Sequence, residues 1–240
     1  MHHNMKQIIL GDIHGRDHWK EVINQEKEFD RVIFLGDYFD SFDIEPIKQL
    51  ENFYDIVQFK KDNMNKVILL IGNHDYQYWP GTDEKYSGYQ PVMRSQFEES
   101  LNKNKDILQI CFVDEHDTVY VHAGLTLTWL NNVGIGAPSI QSVVRDVNEL
   151  FVYKPFKFSF YDEDRSHCGD NINQGPFWVR ERALYKDGIS QLMVVGHTVV
   201  DQIDHVNKSI RRGFFMIDRL HGKMKQYLVC NDDKFEIKRL

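Results

Sequence analysis

Val67-Ile68-Leu69-Leu70-Ile71-Gly72-Asn73-His74-Asp75 is the stretch on which the fold turns. Its apolar run, closed by a glycine and then by polar groups, reads as a short strand buried on both faces. The chain bends at Gly72 and presents Asn73, His74 and Asp75 at the strand's carboxyl end, which is where open α/β sheets place their ligands. A carboxamide, an imidazole and a carboxylate in succession are costly to bury unpaired. Either they face a ligand, or they form a polar turn in which Asp75 caps the next helix.

The pattern recurs, and that favours the ligand. Ile8-Ile9-Leu10 runs into Gly11-Asp12-Ile13-His14-Gly15, and Val32-Ile33-Phe34-Leu35 into Gly36-Asp37-Tyr38-Phe39-Asp40. Val119-Tyr120-Val121 runs into His122-Ala123-Gly124, and Leu192-Met193-Val194-Val195 into Gly196-His197-Thr198. Each apolar run delivers Asp, His or Asn beside a glycine, so the five loops are expected to assemble one site. Oxygen and imidazole donors without thiolate suit Mn²⁺, Fe or Zn²⁺. Six ligands exceed one tetrahedral zinc, and an Asp can bridge two cations that together clamp a phosphoryl group. The bland alternative is a set of separate turn caps and core histidines.

The bulk properties fit one α/β domain over residues 1–240. The chain carries 42% apolar and 27% charged residues, ordinary for a globular protein. A net charge of −7 argues against nucleic acid and anionic membranes as partners. No apolar run is long enough to span a bilayer. The polar start leads directly into the first strand, so no signal peptide is expected; His2 and His3 are left out of the site. The three cysteines, Cys111, Cys168 and Cys230, are scattered and lack CxxC partners, as in a reduced cytoplasmic protein.

Helices are expected over residues 17–28, with Trp19, Val22 and Ile23 inward, over 46–61 behind Pro46, and over 96–104, 128–131, 140–152 and 177–185. The stripe of the second helix is Leu50, Phe53, Tyr54, Val57 and Phe59. Residues 107–113 and 118–122 read as a hairpin. Residues 76–89 read as an aromatic loop beside the site, packing the core or walling a cleft. Residues 159–176 read as a mobile loop or lid. Residues 210–217, 223–229 and 234–238 read as three antiparallel strands.

The five loop motifs together resemble the ordered motifs of the calcineurin-like metallophosphoesterases. The form is closest to the branch holding serine/threonine phosphoprotein phosphatases, the bacteriophage lambda phosphatase and symmetrical diadenosine tetraphosphate hydrolases. The resemblance implies a four-layer αββα fold, two central mixed sheets flanked by helices, and a hydrolase with two divalent metal ions. By the same resemblance, Asp12 and His14 bind one metal, Asp37 bridges, and Asn73, His122 and His197 complete the second. A metal-bridging hydroxide attacks phosphorus. His74 is the general acid and Asp40 the carboxylate that orients and charges it, as expected where an imidazole must stay protonated near neutral pH. Phe177-Trp178-Val179-Arg180 resembles the segment supplying a phosphate-gripping arginine, Arg180, with Arg182 close by.

The resemblance is incomplete. Ser41-Phe42 follows Asp40 where the phosphoprotein phosphatases carry Arg-Gly. One phosphate clamp is therefore absent, or is supplied elsewhere, as by Arg16 or Arg94. Val199 stands where many diesterases of the superfamily carry a second histidine. The first departure leaves the substrate open, and the second favours the phosphatase and tetraphosphatase branch over the diesterases. Within that branch a phosphomonoesterase acting on a phosphorylated protein, nucleotide or small molecule is the first expectation. Hydrolysis of a dinucleoside polyphosphate, with residues 76–89 stacking a base, is the alternative, and a metal-binding scaffold is a third reading.

Overall fold

Alternation along the strands determines the layers. In β1 (Lys6–Leu10) and β2 (Arg31–Phe34), Ile9 and Ile33 pack with Tyr120, Val194, Phe215 and Ile217 of a second sheet. Their neighbours Ile8, Leu10, Val32 and Phe34 belong to a different cluster, which contains Trp19, Val22, Phe53 and Val57 of the helices. A strand buried on both faces has no polar side, hence the continuous apolar runs. The computed structural model describes residues 5–159, 170–209 and 212–240.

The first sheet has the order β11-β10-β1-β2-β3-β4, where β3 is Val67–Leu70, β4 Leu108–Gln109, β10 Gln226–Asn231 and β11 Lys234–Arg239. Strands β1 to β4 are parallel, and β10 and β11 close one edge as an antiparallel hairpin. The second sheet has the order β5-β6-β7-β9-β8, with β5 Cys111–Val113, β6 Val119–Val121, β7 Leu192–Val199, β8 Asp204–Ser209 and β9 Arg212–Asp218. Helices α1 (His18–Glu26), α2 (Pro46–Asp62) and α4 (Arg94–Asn104) contribute Trp19, Val22, Leu50, Phe53 and Phe97 to the core. Helix α3 (Asn73–Tyr76) is a single turn at the site. Helices α5 (Leu127–Asn132), α6 (Ile140–Tyr153) and α7 (Glu181–Asp187) follow, and Val144, Val147 and Phe151 are the buried face of α6. The result is two mixed sheets flanked by helices, as expected.

The chain leaves the first sheet for the second at Ile110. Asn148 of α6 fixes that crossing: its Oδ1 accepts from Ile110 N at 2.8 Å and its Nδ2 donates to Cys111 O at 2.9 Å. The expected hairpin is therefore β5–β6, while residues 108–109 pair with β3 instead.

Four expectations are corrected. The last strands are not one antiparallel set, because β9 runs parallel to β7 in the second sheet and β8 was not foreseen. Polar Asp204-His205 gave β8 no apolar signal, although Phe215 stacks on His205 at 4.4 Å. Tyr54 is 44% exposed, and Asn52 and Ile56 take its place on the buried face of α2. The helix expected over 177–185 begins only at Glu181, because Phe177 and Val179 are buried in an irregular segment. Strand β7 continues through His197 to Val199 across a register shift rather than ending at Val195. Most of the expected lid, together with Cys168, Ile210, His2 and His3, lies outside the described residues. Cys111 and Cys230 are buried and unpaired. No helix among the described residues is long and apolar enough to cross a membrane.

Candidate active site

The carboxyl ends of β1, β2, β3 and β6 and the irregular stretch of β7 meet at one cleft of about 490 Å³, lined by Asp12, His14, Asp37, Asn73, His74 and His197. The fully buried His122 lies behind them. Bringing these loops together requires unusual backbone. His14, Asp37, Asp40 and His197 have φ of 44°, 52°, 65° and 63°. Each such non-glycine residue costs ~1–3 kcal/mol, a strain that typically collects at functional sites. Gly72 and Gly196 are required by close approach, since a Cβ at either would overlap the carboxylate of Asp37 or Asp12.

Asp75, which the sequence offered as a ligand-facing group or a helix cap, holds the loops together. It is fully buried, and its carboxylate accepts from Asp37 N and Tyr38 N, both at 2.7 Å, and from Gly72 N at 2.9 Å. The loop after β2 is thereby tied to the loop after β3. Asp37 in turn accepts from His74 N at 2.8 Å, and Asp12 from His197 N at 3.0 Å.

Backbone carbonyls set the histidine tautomers. His14 Nδ1 lies 2.7 Å from Phe39 O and His122 Nδ1 lies 2.9 Å from Leu35 O. A carbonyl only accepts, so each Nδ1 carries the proton and each Nε2 turns a lone pair inward. His122 Nε2 then faces Asn73 Oδ1 at 2.9 Å and Asp37 Oδ2 at 3.4 Å. His14 Nε2 is 3.8 Å from Asp37 Oδ2, and His197 Nδ1 is 2.9 Å from Asn73 Oδ1. The buried His197 Nε2 and Asn73 Nδ2 have no hydrogen-bond partner. The His122 Nε2 lone pair facing the Asn73 and Asp37 oxygens fits a cation-binding cage.

The charges agree. Burial and the neighbouring Asp218 push Asp12 well above the usual carboxylate range; burial and Asp12 do the same to Asp37. Burial holds His14 and His122 neutral down to about 3, and drives His197 well down. Neutral imidazoles with crowded carboxylates are the state a divalent cation would relieve. Two sets of donor atoms lie close enough to share an ion: His14, Asp37 and His74, and Asp12, Asp37 and His122. Asp37 belongs to both. The grouping differs from the resemblance, in which Asp12 stands with His14 and His74 is no ligand.

Asp40 is 1% exposed. It receives His74 Nδ1 at 2.9 Å, Tyr78 Oη at 2.6 Å and the Gln77 side-chain amide. Burial pushes Asp40 up to about 8 and His74 down to about 4. A protonated acid beside a neutral imidazole, and a carboxylate beside an imidazolium, are the same charge state of a coupled pair. Burial thus disfavours the charged form of each, and a single proton shared between Asp40 and His74 Nδ1 satisfies both.

Arg180 lines the cleft on the His197 side, its guanidinium 5.7 Å from the Trp178 ring and its Nη1 3.4 Å from Thr198 Oγ1. Arg182 points away; its side chain is 86% exposed and lies 3.7 Å from Asp170. Of the two candidates for the absent clamp, Arg94 is engaged by Thr82 O and Tyr89 Oη outside the cleft, whereas Arg16 lines it. Tyr76, Tyr78 and Tyr86 are buried, so residues 76–89 supply core and a second layer behind His74 rather than an open wall. Sequence reasoning missed Asp75, Gln77 and Tyr78 in their supporting roles, and Asp218 and His221, which also line the cleft.

A family profile described as calcineurin-like phosphoesterase matches residues 5–201. The chain belongs to that family. Members are hydrolases of phosphoester bonds that bind divalent metals, and the donor groups described above suit that role. No curated protein sequence matches the chain. Among solved structures, the cold-active protein tyrosine phosphatase of a psychrophilic Shewanella species aligns over 97% of this chain and 80% of its own, with TM-score 0.58 and 17% identity. A Sphaerobacter thermophilus metallophosphoesterase aligns over 99% and 88%, with TM-score 0.51 and 14% identity. A serine/threonine phosphatase of Saccharomyces cerevisiae aligns over 98% and 79%, with TM-score 0.54 and 13% identity. At these identities the structures establish the shared fold.

Proposed function

We propose that this phosphoesterase is a two-metal phosphatase that hydrolyses phosphomonoesters, a phosphoprotein serine/threonine phosphatase being one form that reading takes. The observation that carries it is the His74–Asp40 pair, which lies at the cleft wall beside the ligand cage with His74 Nδ1 2.9 Å from Asp40 Oδ2. Asp12, His14, Asp37, Asn73, His122 and His197 would hold the metals, Asp37 being common to both groups of donors. Two divalent cations, Mn²⁺ first and Fe or Zn²⁺ as alternatives, supply charge stabilisation and an activated water when bound. Arg180 grips the phosphoryl oxygens through its guanidinium fork. As the ester P–O bond breaks, His74 gives its Nε2 proton to the departing oxygen, and Asp40 holds the ring in line through Nδ1.

Burial of Tyr76, Tyr78 and Tyr86 leaves only the Trp79 and Tyr89 rings of residues 76–89 partly open, which supports a monoester over a dinucleoside polyphosphate. A scaffold has no use for an acid pair behind a metal cage. The test is turnover by metal-stripped protein on aryl phosphates, phosphopeptides, nucleotides and dinucleoside polyphosphates, with and without added Mn²⁺. Mn²⁺-dependent release of phosphate from monoesters is expected. Turnover confined to dinucleoside polyphosphates, or none on any substrate, contradicts the proposal.

A further inference from the structure

The turn between β9 and β10 concentrates unsatisfied polarity. Asp218 Oδ1, Arg219 Nε and His221 Nδ1 are all buried without a hydrogen-bond partner. Buried polar groups are rarely left so unless something outside the fold meets them. Asp218 and His221 line the catalytic cleft together with Arg16. His221 Nδ1 is only 3.4 Å from Asp218 Oδ1, yet the two are not aligned to bond.

This flank lies beside the acid. The His14 and His74 rings meet edge-on at 5.0 Å, and Arg16 is two residues beyond His14. Arg180 and Trp178 line the same cleft, with Trp178 5.3 Å from His197. A leaving group protonated by His74 lies in a cleft that Arg16 and His221 also line.

Arg16 is held from the rim and, at 3.3 Å, by its own loop, where Nη1 donates to His14 O. Its Nη2 meets Asp43 at 2.6 Å, and Asp43 is 68% exposed and also accepts from Ser41 Oγ at 2.6 Å. An ion pair that open is worth little and yields readily to a better-placed anion. Ser41, which replaces the arginine of the resembling phosphatases, thus helps to hold the acid that parks Arg16.

We infer that Arg16 and His221 form a recognition flank for a carboxylate carried on the leaving group of the substrate. The inference rests on the phosphomonoesterase reading. Arg16 supplies a bidentate fork and His221 a ring N–H. With Asp43 displaced, Arg16 leaves the flank one positive charge beside the Asp218 carboxyl, which suits a monoanion better than a second phosphate.

The test compares kcat/KM for 4-carboxyphenyl phosphate with that for its uncharged carboxamide analogue, and repeats it with the meta pair. Each variant's carboxylate preference is divided by the wild-type preference, which cancels the difference in leaving group. Arg16→Gln should lower it about tenfold, the scale of one charge-assisted bond. His221→Ala should lower it less, and Asp43→Asn should raise it by freeing Arg16. An unchanged preference in all three overturns the inference. Should Arg16→Gln fail to fold, the opposite shifts in His221→Ala and Asp43→Asn decide alone. Wild-type protein with Mn²⁺ that hydrolyses neither ester refutes the phosphatase reading itself, and the flank with it. Hydrolysis of both with unaltered preference refutes the flank only.

Discussion

Asp75→Asn exchanges one carboxylate oxygen for an amide nitrogen in a group that now accepts three backbone N–H bonds. Oδ2 takes Asp37 N and Gly72 N, and Oδ1 takes Tyr38 N. The asparagine can keep its oxygen on the first two. Its NH₂ must then face Tyr38 N–H, donor against donor. Losing a charge-assisted bond and leaving that N–H buried and unmet costs about 2–4 kcal/mol. The damage reaches the metals, because Asp37, held in a strained φ of 52°, is released with the loop. Burial pushes Asp75 up to about 7, so the comparison belongs at pH 8, where its carboxylate is ionised. Denaturant unfolding with and without Mn²⁺, and calorimetric Mn²⁺ titration, measure both consequences. Mn²⁺ should stabilise the variant less than wild type. A variant within ~0.5 kcal/mol of wild type, with unaltered Mn²⁺ affinity, refutes the tie between the two loops.

His74→Asn should keep the metals yet slow turnover about 10²–10⁴-fold on alkyl phosphates. The loss should be much smaller on p-nitrophenyl phosphate, whose leaving group needs no proton, and equal losses would argue against the acid role. Arg180→Ala should lower kcat/KM roughly 30-fold or more, the scale of a lost charge-assisted partner; wild-type kcat/KM would pass the phosphate to another group. In the metal-free protein the buried histidines and the buried carboxylates oppose one another between about pH 4 and 6.5, so stability should change little there and fall from about 6.5 to 8. His14, His122 and His74, held at about 3, 3 and 4, bind fewer protons folded than unfolded up to their ordinary 6.5. Asp40, raised to about 8, and Asp75 and Asp218, raised to about 7, bind more protons folded from about 4 upward, and above 6.5 no histidine offsets the loss they impose until they too ionise. Melting temperatures from pH 5 to 8.5 check this, and saturating Mn²⁺ should remove the alkaline decline.

The strands that carry the site were legible because each is a pure apolar run ending at glycine. Residues 8–10, 32–35 and 67–71 admit no other reading, and the repeated Asp, His and Asn at their ends named the cleft. Less could be read where burial and polarity part company. Asn52, Gln49 and Lys60 are buried on α2, where the apolar stripe suggested Tyr54. β8 pairs polar residues with β9 and gave no signal. Asp75 looked like a ligand-facing group or a cap because sequence shows neighbours along the chain, whereas its bonds to Asp37 N and Tyr38 N span 38 and 37 positions. Asp218 and His221 lie beyond the last motif, and only the placement of β9 beside β7 brings them to the cleft.

The central claim is a pair of cations sharing Asp37, and the direct measurement is metal content per chain after Mn²⁺ loading and gel filtration. Wild-type protein should retain two ions, and Asp37→Asn should lose most of both together with activity, because the bridging carboxylate serves each set. A single ion in wild type, retained unchanged in Asp37→Asn, would contradict the account.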